Sequence, residues 1–526
     1  MADLNIKPII LMFEVHQPYR LQKNFSKLLI DLKVRKRDIT FEDLKEIYFD
    51  NYLNKFVIRK AAERAYLPAN RIILEKIEEY RYENRKFKVT YSLSGVFIEQ
   101  CEKWAPEVIE SFKQLADTGM VEFLDQTFYH SLASIFSEEE FETQIRDHRE
   151  KMRELFGIEP VNVENTEFIY NNRIALIFEK MGYKAVFTEG VERILGWRSP
   201  NYLYKAKGLN LRVLMRNYRL SDDIGFRFNA RWWSEYPLTA DKYAVWLAYT
   251  PGQLINICMD YETFGEHFPR ETGIFEFLKW LPDEILKWKH LCFMTPAEVV
   301  EKLDPVDEID VPEHMTISWA DIERDLTAWL MNSMQYDAFN RIKESEKIVK
   351  NLGDDTAVYI WRLLTVSDHL YYMNTKGGGP GDVHTYFSPY GSALEAYSVY
   401  ISIFSDFFSR LIDAFKNKKM RLKLAWIRDV PEHMIFQFYY DDDRPVGWIA
   451  RNMENLLWCI AHVPIESIEY HLKNGHFSKW IGEAIGDLEL ADEIIRIGSL
   501  TGEEARRRLM SILENRRKMV FADEGE

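Results

Sequence analysis

The chain has 526 residues, of which 47% are hydrophobic and 14% aromatic, enough to bury a large core and to fill about two to four domains. Its net charge of −15 at pH 7 repels phosphate backbones and argues against nucleic acid as a partner. Cys101, Cys258, Cys292 and Cys459 stand far apart with no metal-ligand spacing, which suggests a reducing compartment and no disulfide framework. The opening MADLNIKPIILMF carries an acid, Asp3, where a secretion signal carries basic residues, and no apolar stretch is long enough to span a membrane. A cytoplasmic location is expected.

Eight short apolar runs follow in chain order: 9–13, 87–93, 121–124, 161–166, 184–188, 209–215, 254–259 and 290–294. Amphipathic helical patterns such as 72–80 and 141–156 lie between them. This alternation predicts a parallel sheet covered on both faces, and seven or eight repeats predict an α/β barrel over residues 1–310. Near 311 the pattern changes. Residues 321–349 read as a helix with Ile322, Leu326, Trp329 and Leu330 on one stripe, and further helices are expected at 357–372 and 392–415. Residues 311–416 are therefore predicted to form a helical bundle packed on the barrel. The turn-rich stretch 376–389 contains three consecutive glycines from Gly377, but lacks the Lys-Ser/Thr of a phosphate loop. It reads as a turn at the cleft edge, with His384 a weak candidate for ligand contact.

Residues 417–526 read as a small α+β domain of unknown role. A strand is expected at 434–440, helices at 453–462, 466–474 and 477–485, and a last helix at 503–519 opened by a capping box of Thr501 and Glu504.

Catalytic groups of parallel barrels sit at the carboxyl ends of the strands. The expected strands here end in unusually polar residues: Glu14 and His16 after the first, Asp125, Gln126 and His130 after the third, Glu164 and Glu167 after the fourth, Glu189 after the fifth, and Asp260, Glu262, Glu266 and His267 after the seventh. Carboxylates are seldom buried without a partner or a task. Two of them facing one cleft suit glycoside hydrolysis, in which one attacks the anomeric carbon and the other protonates the leaving oxygen. The spacing alone leaves Glu164, Glu167, Glu189, Asp260, Glu262 and Glu266 in competition.

The segments HQP (from His16), GMVEFL (from Gly119), NTEF (from Asn165) and MDYETFGEH (from Met259) resemble glycoside hydrolase family 57. WADIERDLTAWL (from Trp319) and SDHLYYM (from Ser367) resemble its α-amylase branch, all in the family's order over roughly residues 8–400. The resemblance implies a (β/α)7-type barrel, a helical domain that completes the cleft, and a retaining mechanism with no metal or other cofactor. It implies Glu167 as nucleophile and Asp260 as acid/base. His16 and Glu122 match positions lining the donor-sugar site, and Asp368 and His369 fall in a segment expected to reach the same cleft. The chain departs from the branch at Gln126, where an acid is common.

His130 and His267 are candidates for substrate contact or for support behind it, and Trp197 for stacking a sugar or packing a loop. The expected substrate is an α-glucan or maltooligosaccharide, with water as acceptor in an α-amylase and a sugar hydroxyl in a 4-α-glucanotransferase. A non-catalytic glucan-binding protein and a metal-dependent deacetylase are the rival readings. The second needs tightly spaced His and Asp ligands, and His16, His130 and His267 are dispersed.

Overall fold

The computed structural model describes residues 6–35, 39–376, 388–415 and 418–522. The glycine turn at 377–379 and His384 lie outside the described residues. The chain groups into two compact units, one of residues Met1–Phe339 with Arg362–Ile401, the other of Asn340–Trp361 with Ser402–Glu526. These limits differ from the three expected segments, because helices Ser333–Leu352 and Ala393–Ala414 contribute residues to both units.

The first unit is mixed α/β. Its strands are β1 (Lys7–Val15), β2 (Val89–Leu93), β3 (Val121–Leu124), β4 (Asn162–Glu164), β5 (Ala185–Glu189), β6 (Tyr204–Ala206), β7 (Arg212–Arg216), β8 (Ile255–Asp260), β9 (Leu291–Phe293) and β10 (Asp307–Ile309). One sheet runs β3-β2-β1-β8, with β9 on the start of β1, and the other runs β10-β6-β7-β5-β4. All pairings are parallel except β6 with β7. Beyond the end of β3, Asp125 N donates to Asn162 O (3.1 Å) and Asp125 O accepts from Glu164 N (3.0 Å). Past the end of β7, Asn217 N donates to Asn256 O on β8 (2.9 Å). The eight expected runs each contain a strand. β6 and β10 are additions of three residues each.

The strand period of two sorts side chains between two cores. On β1, Ile9, Leu11, Phe13 and Val15 pack with helices such as Leu67–Glu79 and Ile274–Leu286. Ile10 and Met12 instead join a second core with Leu124, Phe187, Leu214 and Cys258. Glu14 has the parity of Ile10 and Met12, Asp260 that of Leu254 and Cys258, and the β1–β8 register sets Glu14 opposite Asp260. The face that is apolar at the amino ends of the strands becomes charged at their carboxyl ends.

Residues 321–332 are not the helix their apolar stripe suggests. They form turns and one 3₁₀ turn, Leu326–Ala328, ahead of helix Ser333–Leu352. Asp321 and Arg324 have positive φ (56° and 51°), and Asp325 accepts from Thr327 N (2.8 Å). Arg193 donates to the carbonyls of Glu323 (2.7 Å) and Arg324 (2.6 Å), and Lys376 reaches Glu323 (2.9 Å) and Thr327 (2.6 Å). These side-chain bonds outweigh local helix propensity.

In the second unit, β11 (Phe436–Asp441) and β12 (Arg444–Ala450) pair antiparallel. Helices Met453–His462, Ile465–Lys473 and Gly502–Phe521 close over a core that includes Trp426, Phe438, Ile460 and Leu509. Thr501 is the N-cap of the last helix without a side-chain bond. The expected capping box is absent because Gly502 takes a positive φ of 62° and its N–H is bound by Glu469. Among the described residues, no helix is long and apolar enough to cross a membrane.

Candidate active site

A cavity of about 640 Å³ opens at the carboxyl ends of the strands in the first unit, within the range of ligand-binding sites. Glu167, Asp260, His16, His130, His267 and Asp368 line it, together with Glu14, Arg216, Glu262 and Trp319.

Glu167 follows β4 in a left-handed conformation, φ 58° and ψ 26°, which costs a non-glycine residue about 1–2 kcal/mol. The turn is held on every side. Phe168 N donates to Asn165 O (2.8 Å), Ile169 N to Thr166 O (3.1 Å), and Asn165 Nδ2 to Ile169 O (2.9 Å). The Thr127 and Thr166 hydroxyls are hydrogen-bonded beneath it. Over it, Trp319 N donates to Glu167 O (3.1 Å) and the Trp319 indole Nε1 to Glu167 Oε2 (2.6 Å). The indole also stacks on Phe168 at 4.4 Å. A carboxylate in this strained, over-determined turn is aimed rather than packed.

Asp260 ends β8. Burial and the negative charge of Glu167 push its carboxyl up to about 7, against the pull of Arg216 and His130. Such a group keeps its proton near neutral pH and gives it up readily. Arg216 ends β7 and is anchored by Glu189 (2.9 Å), Asp222 (2.6 Å) and the Cys258 carbonyl (2.8 Å). Arg324 joins the network at Asp222 (3.2 Å) and Glu189 (3.4 Å). Glu262 is raised to about 8 by burial and by the charge of Asp260, with the Tyr66 hydroxyl donating to it. Below the cavity mouth, burial raises Glu164 to about 8, and burial and Glu164 raise Glu14 well above the carboxylate range.

His16 Nε2 meets Asp368 Oδ2 at 2.9 Å and His16 Nδ1 meets Ser94 Oγ at 2.7 Å. Burial, then the nearness of His130, lowers His16 to about 4. The ring is therefore neutral near pH 7, with Nε2–H donating to the carboxylate and Nδ1 accepting from the serine. Burial pushes Asp368 up, but this hydrogen bond and the nearby histidines hold it well below the usual range. Gln126 Nε2 donates to Ser92 Oγ (2.8 Å), leaving its Oε1 to accept from His130 Nδ1 (3.1 Å). His130 Nε2 then faces Glu167 Oε1 at 3.5 Å. An amide thus serves at the position where the family branch often has an acid. His267 lines the wall half-buried, and desolvation of its ring lowers it to about 4.

One ligating atom each from His16, His130 and Asp368 lies within 4.8 Å of the others, a spacing that admits a divalent cation. The two imidazoles stack at 3.8 Å with 20° between their planes, so their in-plane lone pairs run side by side instead of converging on one ion.

Three expected site residues lie elsewhere. Glu122 shares the inward parity of Leu124, but the register places it level with Thr90 and Met12, one layer below Glu14. Its carboxylate accepts from Asn162 Nδ2 (2.6 Å) and from Ala297 N (2.9 Å), at the start of helix Pro296–Lys302. Trp197 is 94% exposed beside Gly196 and is not in the cavity wall. His369 points away from Asp368. Its Nε2 donates to Leu363 O (3.1 Å) and its ring packs on Tyr400. Conversely, Trp319 and Arg216 are central yet were not singled out from sequence. A basic residue directly ending an apolar run was the available signal for Arg216.

The profile of the glycosyl hydrolase family 57 matches residues 10–312. The chain is 49% identical, over 75% of its length and 83% of the relative, to a Methanocaldococcus jannaschii protein provisionally named as an α-amylase. It is 23% identical to alpha-amylase 1 of Dictyoglomus thermophilum, over 61% of this chain and 45% of that one. Among solved structures it is similar to a GH57 branching enzyme from Thermococcus kodakaraensis (TM-score 0.55, 14% identity, 80% of this chain and 94% of that one). It is also similar to a 4-α-glucanotransferase from Thermococcus litoralis (TM-score 0.51, 17% identity, 69% and 56%). At such identities these structures speak for the fold. The profile spans more than half of the chain and the archaeal relative most of it, so the protein belongs to glycosyl hydrolase family 57 and is an enzyme of the glycoside hydrolase type.

Proposed function

We propose that the protein is a retaining α-amylase-type enzyme on α-1,4-glucan, with Glu167 as nucleophile and Asp260 as acid/base in a (β/α)7-type barrel. The observation that carries this reading is the unequal pair of carboxyls in one cavity. Glu167 is fixed in a strained turn by the Trp319 indole, and Asp260 is raised to about 7. In the first step a Glu167 oxygen bonds to the anomeric carbon as the glycosidic C–O bond breaks, and the Asp260 proton passes to the leaving oxygen. In the second, Asp260 takes a proton from the acceptor, whose oxygen displaces Glu167. His16, His130 and Asp368 supply directional hydrogen bonds for sugar hydroxyls at the same wall. The seven parallel strands β1, β2, β3, β4, β5, β7 and β8, linked at Asp125 and Asn217, support the barrel reading. The acidic surface suits a neutral substrate, and cytoplasmic glucan turnover fits the free cysteines, all four of which are buried.

The test is product analysis with maltoheptaose, comparing wild type with Glu167→Ala. Shorter products with new reducing ends, absent in the variant, establish an amylase. Longer chains without net new ends establish the 4-α-glucanotransferase alternative. Binding without turnover returns the reading to a glucan-binding protein.

A further inference from the structure

The second unit treats its tryptophans in two ways. Trp426 and Trp480 are buried in its core. Trp448 on β12 and Trp458 on helix Met453–His462 instead stack on one another at the surface, 4.9 Å apart with 14° between planes. Trp458 stays 57% exposed. The His462 ring lies against it at 4.6 Å. His462 Nδ1 is 2.7 Å from the Trp458 carbonyl, which can only accept, so Nδ1 donates to it and Nε2 takes no part in that bond. One helical turn before Trp458, Glu454 is paired with Arg517 Nε at 2.8 Å, and both are partly open to water.

We infer that this stack is a second α-glucan-binding surface, separate from the catalytic cavity. An indole face held rigid from behind by a second indole presents a flat apolar surface to the C–H face of a pyranose. The His462 ring and the Glu454–Arg517 pair supply planar hydrogen-bonding groups beside it for the equatorial hydroxyls of a glucose unit. A neutral polymer suits a chain of net charge −15, which repels polyanions. A second copy of the chain fits less well. A stable dimer buries about 800 Å² on each partner, and a patch of Trp448 and Trp458 falls short of that. The choice of α-glucan as occupant rests on the function proposed for the first unit.

The test uses the full chain as wild type, Trp458→Ala and Trp458→Tyr. Each is run in native gels with and without glycogen, sedimented to determine its oligomeric state, and assayed on maltoheptaose. Glycogen should retard the wild type. Trp458→Ala should weaken retardation about tenfold in apparent Kd, Trp458→Tyr should restore most of it, and kcat/KM on maltoheptaose should be equal in all three. Equal retardation of wild type and Trp458→Ala, or no retardation of the wild type, overturns the inference. So does a Trp458→Ala variant that loses only self-association. Trp458-dependent retardation in a protein inert on maltoheptaose keeps this surface and rejects the proposed activity. Turnover of maltoheptaose without such retardation does the reverse.

Discussion

Trp319 holds Glu167 at both ends, its backbone N–H on the Glu167 carbonyl at 3.1 Å and its indole N–H on the carboxylate at 2.6 Å. The backbone bond fixes the turn, and the indole bond selects one carboxylate oxygen and leaves the other toward His130. Trp319→Phe keeps the stack on Phe168 and deletes only the indole donor. It should lower kcat on maltoheptaose by about 10–100-fold with little change in Tm. A variant with wild-type kcat would show that the indole bond does not orient Glu167 for its proposed role.

In the proposed first step Asp260 must be protonated, so activity should fall on the alkaline side as pH rises through about 7. Arg216 lowers this carboxyl. Arg216→Met should therefore move the alkaline limb of kcat/KM to higher pH. It also removes the nearer of the two cations that Glu189 and Asp222 share and leaves them Arg324, at a cost of up to about 3–5 kcal/mol. A pH–rate series alongside thermal melts separates the two effects. An unmoved alkaline limb in a folded variant would mean that Asp260 is not the group titrating there.

Glu164 is raised in the folded protein to about 8 from an ordinary value near 4.5. Its contribution to stability is complete below the lower value and is lost as pH rises through the upper one. Glu164→Gln does not titrate. Its Tm relative to wild type should climb by several degrees between pH 5 and pH 8.5, as read by differential scanning fluorimetry. A constant difference across that range would argue that Glu164 ionises normally.

Gly265 has φ 119°, and a Cβ there would lie 2.1 Å from the Arg64 carbonyl oxygen. The residue closes the loop that carries Glu262 and Glu266 behind Asp260. Gly265→Ala should destabilise the protein by at least about 3 kcal/mol, measured by denaturant unfolding. A loss below about 1 kcal/mol would show that the Arg64 segment yields easily.

The strands were legible because parallel strands covered on both faces leave nearly continuous apolar runs, and each of the eight runs holds one. Motif order identified Glu167 and Asp260, and both line the cavity with His16, His130, His267 and Asp368. Depth was not legible. Glu122 lies on the inward face, but only the register shows it one layer too low. Direction around a helix misled for His369, whose neighbour Asp368 faces the cavity while it faces Leu363. The stretch 321–332 carries a helical stripe, but Arg193 and Lys376 fold it into turns through contacts remote in sequence. That is how Trp319 reaches the site.

The alternation along β1 and β8 gives the enzyme a reading frame in space. Every second residue from Ile10 and Leu254 onward belongs to one sequence of positions that starts as interior packing and finishes as cavity-lining carboxyls at Glu14 and Asp260. Losing one residue from β8 would not merely shorten the strand. It would exchange the two faces, moving Met259 to the face of Cys258 and Asp260 to the face that packs on the helices. Core and cavity lining here are two ends of the same row of side chains, so insertions within these strands should be far less tolerated than substitutions at their ends.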